Sequence, residues 1–180
     1  MVYMFLAEGF EETEAIGCLD VLRRAKIKVK TVGISAKCVT GSHHVMIIAD
    51  ILKDEIKLDE FDGIILPGGM PGTSYLENDR DVINMIKYCV ANKKMIASIC
   101  AAPMISGKMG LLKGKNAVCY PGFEEFLYEA NIVDAPVVTD GNFITAKGAG
   151  AAMLFGAEIV EYFKPGKGKE ILEQMQHAAI

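Results

Sequence analysis

The 180-residue sequence has no apolar run near the ~20 residues that cross a bilayer, and no basic segment leads into an apolar one at its start. From these absences we expect a soluble, cytoplasmic protein with no membrane partner. Lys and Arg are interspersed with acids, the net charge is only -4, and no basic cluster is large enough to follow a phosphate backbone. A nucleic-acid partner is therefore not expected. The five cysteines, Cys18, Cys38, Cys89, Cys100 and Cys119, are odd in number, widely spaced and contain no C-x-x-C pair. That pattern suits neither a zinc site nor a secreted disulfide framework, and no metal is expected. Both the P-loop pattern G-x-x-x-x-G-K-[ST] and the dinucleotide pattern G-x-G-x-x-G are missing. No repeat, low-complexity tract or long linker divides the chain, and 51% apolar residues can fill the core of one domain spanning residues 1–180.

What is present alternates between strand and helix. "VYMFLA" (2–7) is a short apolar run, and residues 11–26 carry Ile16, Leu19, Val21 and Leu22 at helical spacing, with acids first and Arg23, Arg24 and Lys26 last. Strands are expected over 27–34, 44–50, 61–69, 94–99 and 116–120, and a hairpin is expected around Asp140-Gly141. Helices are expected over 79–93, from Ala102, over 123–130, over 150–163 and over 170–179. Strands apolar on both faces and separated by helices predict a mostly parallel sheet covered on two sides.

In such sheets ligands bind beyond the carboxyl ends of the strands, where strand order reverses. Three stretches end apolar strands: "AEGFEETE", "LPGGMPG" and "SICAAP". In the third, Cys100 stands where a strand turns into a helix, and Ala101 and Ala102 leave space above it, as at a nucleophile elbow. The N–H groups and dipole of the following helix favour thiolate, so the thiol pKa is expected below the ~8.5 of free cysteine. The plainer reading of any one cysteine in a reducing compartment is a small buried hydrophobe. For the Gly68-Gly69 turn it is loop punctuation, although such glycines also expose N–H groups to an anion.

Together, "GFEETEA", "LPGGMPG", "ASICAAP" and "TAKGAGAA", in this order, resemble the ThiJ/PfpI superfamily, in the subgroup of the Parkinson's-linked DJ-one protein and its bacterial relatives. The resemblance covers nearly the whole chain. It implies a flavodoxin-like three-layer α/β/α sandwich, a homodimer, no cofactor, and an elbow cysteine beside a protonated glutamate. By position these are Cys100 and Glu14. Without the resemblance, Glu14 reads as an exposed acid in a first helical turn, which remains the expectation for Glu11 and Glu12.

One position departs from the pattern. Many members carry a histidine about twenty residues after the cysteine, and Tyr120 occupies that place; no histidine lies between His44 and His177. Without an imidazole, a peptidase or amidase mechanism is the weakest reading. His43 falls roughly where relatives carry an arginine, so His43 and Arg24 are candidate anion contacts, with exposed surface residues as the alternative, and Tyr120 is a further candidate substrate or anion contact; His177 reads as a surface residue. Two functions stand. One is glyoxalase III-like or deglycase-like chemistry on α-oxoaldehydes such as methylglyoxal, using Cys100 and Glu14, with N–H groups of Gly68, Gly69 and Ala101 for the oxyanion. The other is an oxidative-stress sensor or protective protein that uses the same oxidisable cysteine.

Overall fold

The computed structural model describes residues 1–177. Along the chain run β1 (Val2–Leu6), α1 (Glu12–Arg24), β2 (Val29–Gly33), β3 (Cys38–Thr40), β4 (Met46–Ile48), β5 (Ile51–Leu52) and β6 (Gly63–Leu66). There follow α2 (Gly72–Asn78), α3 (Arg80–Ala91), β7 (Met95–Ile99), α4 (Pro103–Lys108), β8 (Asn116–Ala117) and β9 (Asn131–Ile132). The chain continues through β10 (Val137–Asp140), β11 (Phe143–Ala146), α5 (Ala152–Phe163) and α6 (Lys167–Gln174). The seven-stranded central sheet has the order β10-β11-β7-β6-β1-β2-β5. Every pairing in it is parallel except the β10–β11 hairpin.

Alternation along β1 divides the core. Val2, Met4 and Leu6 pack with Leu22, Phe155 and Val160 from α1 and α5, while Tyr3 and Phe5 pack with Val82, Ile86 and Met104 from α3 and α4. A strand buried on both faces has no polar side to give up, hence the unbroken apolar runs. From β1 the chain builds outward through β2 and β5, then returns to place β6 on the other side of β1. Strand order therefore reverses between β1 and β6. The loop after β1 and the glycine turn after β6 flank that crevice, and β7, next to β6, delivers Cys100 beside it.

Several elements differ from expectation. The strand expected over 44–50 shrinks to β4, which pairs antiparallel with β3 outside the main sheet, because His44 takes a positive φ and the Val45 amide is drawn to the Glu12 carboxylate. The strand expected over 116–120 stops at Ala117, since the Val118 amide donates to Thr145 Oγ1 and the Tyr120 amide to the Cys100 carbonyl. The helix expected over 123–130 is only a 3-10 turn, Glu124–Phe126; eight residues nucleate a helix poorly, and Glu129 at φ +56° leaves the helical region. The α2 helix was not anticipated. The last helix starts earlier, at Lys167, and the 178–179 end of its expected span lies outside the described residues. Among the described residues, no helix is long and apolar enough to cross a membrane.

Candidate active site

Immediately after β7, Cys100 adopts φ +64°, a left-handed conformation that L-residues avoid at a cost on the order of 1–2 kcal/mol. Two backbone hydrogen bonds hold it there. Its N–H donates to the Ala146 carbonyl at 2.9 Å, and its carbonyl accepts from the Tyr120 N–H at 2.8 Å. Ala101 and Ala102 are buried, Pro103 opens α4, and the thiol is left half-buried. Backbone N–H groups of Ala101 and Gly69 face the sulfur.

The acid arrives from α1. Glu11 is its N-cap, accepting the Glu14 N–H at 2.6 Å, and this first turn carries the Glu14 side chain inward until it is 1% exposed. Glu14 Oε2 accepts the Gly68 N–H at 2.8 Å, while Oε1 is buried with no hydrogen-bond partner among the described residues. Gly68 therefore positions the acid; its amide is not free beside those of Gly69 and Ala101. Gly69, at φ +88°, has no room for a side chain, because a Cβ there would lie 2.4 Å from the Glu11 nitrogen.

Burial pushes the Glu14 carboxyl up to about 7, with the Cys100 thiol and Gly68 amide pulling down and the Glu11 charge adding to the rise. Burial and then the Glu14 charge push the Cys100 thiol up to about 12 against the pull of the Ala101 and Gly69 amides. The lowered thiol pKa expected from the helix end is thus corrected: the amide donors are in place, but burial and the neighbouring carboxylate outweigh them. The two groups titrate as a pair that keeps one proton between about pH 7 and about pH 12. Within that window a thiolate exists only while Glu14 holds the proton.

The other candidates separate. His43 lies at the same end of α1 as Glu14, but its Nδ1 is 3.0 Å from Glu12 Oε2 and its N–H donates to Glu12 Oε1 at 2.7 Å. Val45 N–H and Ser42 Oγ donate to the same carboxylate, so the buried Glu12 anchors the 41–45 turn. Burial acts to raise its pKa, but hydrogen bonds from His43, its own backbone and Val45 hold it down to about 2. Glu12 is therefore not the exposed first-turn acid expected. Glu11, Glu12 and His43 place possible metal-ligating atoms within 4.8 Å of one another, but the two carboxylates already serve the N-cap and this turn. Arg24 is not brought to the site: it lies ten residues beyond Glu14, about 15 Å along the helix axis, and pairs with Asp20. Tyr120 touches the elbow through its backbone, and its ring is 50% exposed. Sequence reasoning missed the carbonyl and amide that clamp Cys100, since main-chain groups leave no residue-type signal.

A doubly wound, mostly parallel sheet with a cysteine on the elbow after a central strand and a buried glutamate from the first helix defines a flavodoxin-like α/β protein with a cysteine-elbow site. The sequence model of the DJ-1/PfpI family matches residues 1–162, and the chain belongs to that family. It is 38% identical over 178 residues to the Arabidopsis thaliana protein DJ-1 homolog A, covering 97% of this chain and 44% of that one. The chain thus spans less than half the length of that relative. It is 30% identical over 165 residues to a deglycase of Pyrococcus abyssi, covering 91% of this chain and 99% of the relative. Among solved structures, a cysteine-to-alanine mutant of a DJ-1 superfamily protein from Salmonella typhimurium superposes with TM-score 0.92 at 35% identity, covering 99% of this chain and 98% of that one.

Proposed function

We propose that the protein is a cofactor-free enzyme of glyoxalase or deglycase type acting on α-oxoaldehydes such as methylglyoxal. The observation that carries this reading is the pairing of an elbow thiol with a buried carboxyl whose Oε1 has no hydrogen-bond partner among the described residues. The deglycase name of the Pyrococcus abyssi relative supports it. In the tautomer with Glu14 protonated, the Cys100 thiolate adds to the aldehyde carbon, and the Gly69 and Ala101 N–H groups stabilise the resulting oxyanion. Protonation of that oxygen gives a hemithioacetal. Glu14, as carboxylate, then takes the C1 proton and returns it at C2 while the C1 hydroxyl proton passes to the C2 oxygen, yielding a thioester. Water cleaves the thioester, so methylglyoxal plus one water leaves as lactate and one proton, and the singly protonated Cys100–Glu14 pair is restored. A carboxyl with a pKa of about 7 suits such a shuttle, since it accepts and returns a proton with little penalty near neutral pH.

The same sulfur supports a second reading, oxidation by peroxide, because Glu14 Oε1 and the two N–H groups could hold the new oxygens of a sulfinate. The two separate in one assay. Lactate should accumulate from methylglyoxal over many turnovers with wild type and fall to background with Cys100→Ser. Peroxide uptake that stops at two equivalents per chain, with no lactate, would replace the enzyme by the sensor.

We also propose a homodimer. In β4, Met46 and Ile48 face outward at 63% and 79% exposure; Val45, just before the strand, and Ile16 on α1 are exposed apolar residues as well. Large apolar side chains left in solvent suit a protein–protein contact.

A further inference from the structure

Beside the elbow lies a cleft of about 470 Å³, in the size range of small-molecule sites. Tyr120, Pro121, Pro136 and Leu154 line it, together with the 147–151 turn between β11 and α5. Two of these segments are tied to the nucleophile. The Tyr120 N–H donates to the Cys100 carbonyl, and the Cys100 N–H donates to Ala146, the residue before the 147–151 turn. The cleft therefore begins within one residue of both groups that clamp Cys100.

Its chemistry is apolar. Lys147 is the one ionisable cation in the lining, and its Nζ is 2.8 Å from Asp134 Oδ1, so it brings little unpaired charge for an anion. The Tyr120 ring rests against Gly148, where a Cβ would sit 3.2 Å from Cδ2, and the ring remains half exposed. An aromatic face, two prolines and a leucine next to the segments that clamp the Cys100 backbone offer stacking and burial to a flat or branched hydrocarbon group.

We infer that this cleft is a subsite for an apolar substituent on the substrate, so that 2-oxoaldehydes bearing an aryl or branched alkyl group are preferred over methylglyoxal, with Tyr120 as the specificity-determining residue. The substrate class rests on the glyoxalase reading above; the subsite itself does not. The test accordingly includes a readout independent of turnover. Cys100 is alkylated with N-benzyl iodoacetamide and with iodoacetamide, and the two rates are followed by mass spectrometry, with the exposed Cys38 as reference thiol. The benzyl-to-parent rate ratio at Cys100 should exceed that at Cys38 by about fivefold, the scale set by partial burial of a phenyl group. Tyr120→Ala should bring the two ratios together, and Tyr120→Phe should preserve the difference. Gly148→Ala, which displaces the ring without removing it, should lower the ratio at Cys100. In turnover, kcat/KM for phenylglyoxal relative to methylglyoxal should fall about fivefold in Tyr120→Ala. Equal ratios at Cys100 and Cys38 in wild type would overturn the subsite even if both aldehydes turn over. A benzyl preference that depends on Tyr120, with no turnover of either aldehyde, keeps the subsite and overturns the glyoxalase reading.

Discussion

A Cβ on Gly68 would lie 2.6 Å from the Cβ of Cys100, closer than real Cβ atoms approach, and 2.7 Å from Glu14 Oε2. The thiol and the acid can face each other only because the residue between them has no side chain. Gly68→Ala should displace the elbow or the carboxyl and lower kcat by at least about 100-fold, the usual cost of losing general acid–base catalysis. Steady-state kinetics beside circular dichroism checks this. A folded variant with normal turnover would show that the proximity has no catalytic role.

Glu14 should also govern stability against pH. Its carboxyl stands at about 7 in the folded chain and near 4.3 when unfolded, so its contribution is full below about pH 4 and is lost as pH rises through 7. Between pH 5 and pH 8 the Tm should fall by on the order of 5 °C from this group. In Glu14→Gln the fall should vanish while turnover drops about 100-fold, because an amide cannot carry the proton. An unchanged thermal profile in the variant would contradict the assignment.

The five thiols should differ in their reaction with an alkylating agent. Cys18, Cys89 and Cys119 are buried, so limited alkylation should reach Cys100 and the exposed Cys38. The Cys100 rate should climb through about pH 7, as the pair loses its first proton, hold level, and climb again toward about pH 12 as the second proton leaves. Glu14→Gln should abolish the first of these rises. A Cys100 rate that rises only toward pH 12 would mean that the shared charge stays on the carboxylate.

Glu12 acts in the opposite sense. Its folded pKa of about 2 lies below the unfolded value near 4.3, so the stability it confers is present above about pH 4 and is lost as pH falls toward 2. Acid titrations of wild type should show this loss. Glu12→Gln should be destabilised by about 1–3 kcal/mol at neutral pH and have a flatter acid limb. A variant as stable as wild type at pH 7 would dismiss the anchor.

Assembly is tested on the β3–β4 pair. Wild type should run as a dimer near twice 19.5 kDa in light scattering at micromolar concentration, and Ile48→Lys should shift it to monomer. A wild-type monomer under those conditions ends the dimer proposal.

The sheet and both flanking helix layers were legible because buried parallel strands leave unbroken apolar runs, such as "MIASI" in β7, and amphipathic helices leave a 3.6-residue rhythm, as in α3. Segments shaped by side chain-to-backbone ties were not legible: 116–120 looks like a strand until Thr145 takes the Val118 amide. Position 123–130 has helical composition, but it ends in a left-handed residue that composition does not reveal. At the site, Cys100 stood out by its strand-to-helix setting. Glu14 needed the family resemblance, because Glu11, Glu12 and Glu14 look alike in sequence and differ only in what folds against them.

The clamp on Cys100 also bears on engineering. Its carbonyl answers to residue 120 and its amide to residue 146, so the elbow's shape is stored in two chain segments remote from it in sequence. A nonapeptide copied from residues 95–103 would carry the thiol and the small residues but none of the instructions for the left-handed turn. Grafting this nucleophile onto another scaffold therefore means transplanting a sheet edge with both of its neighbouring loops.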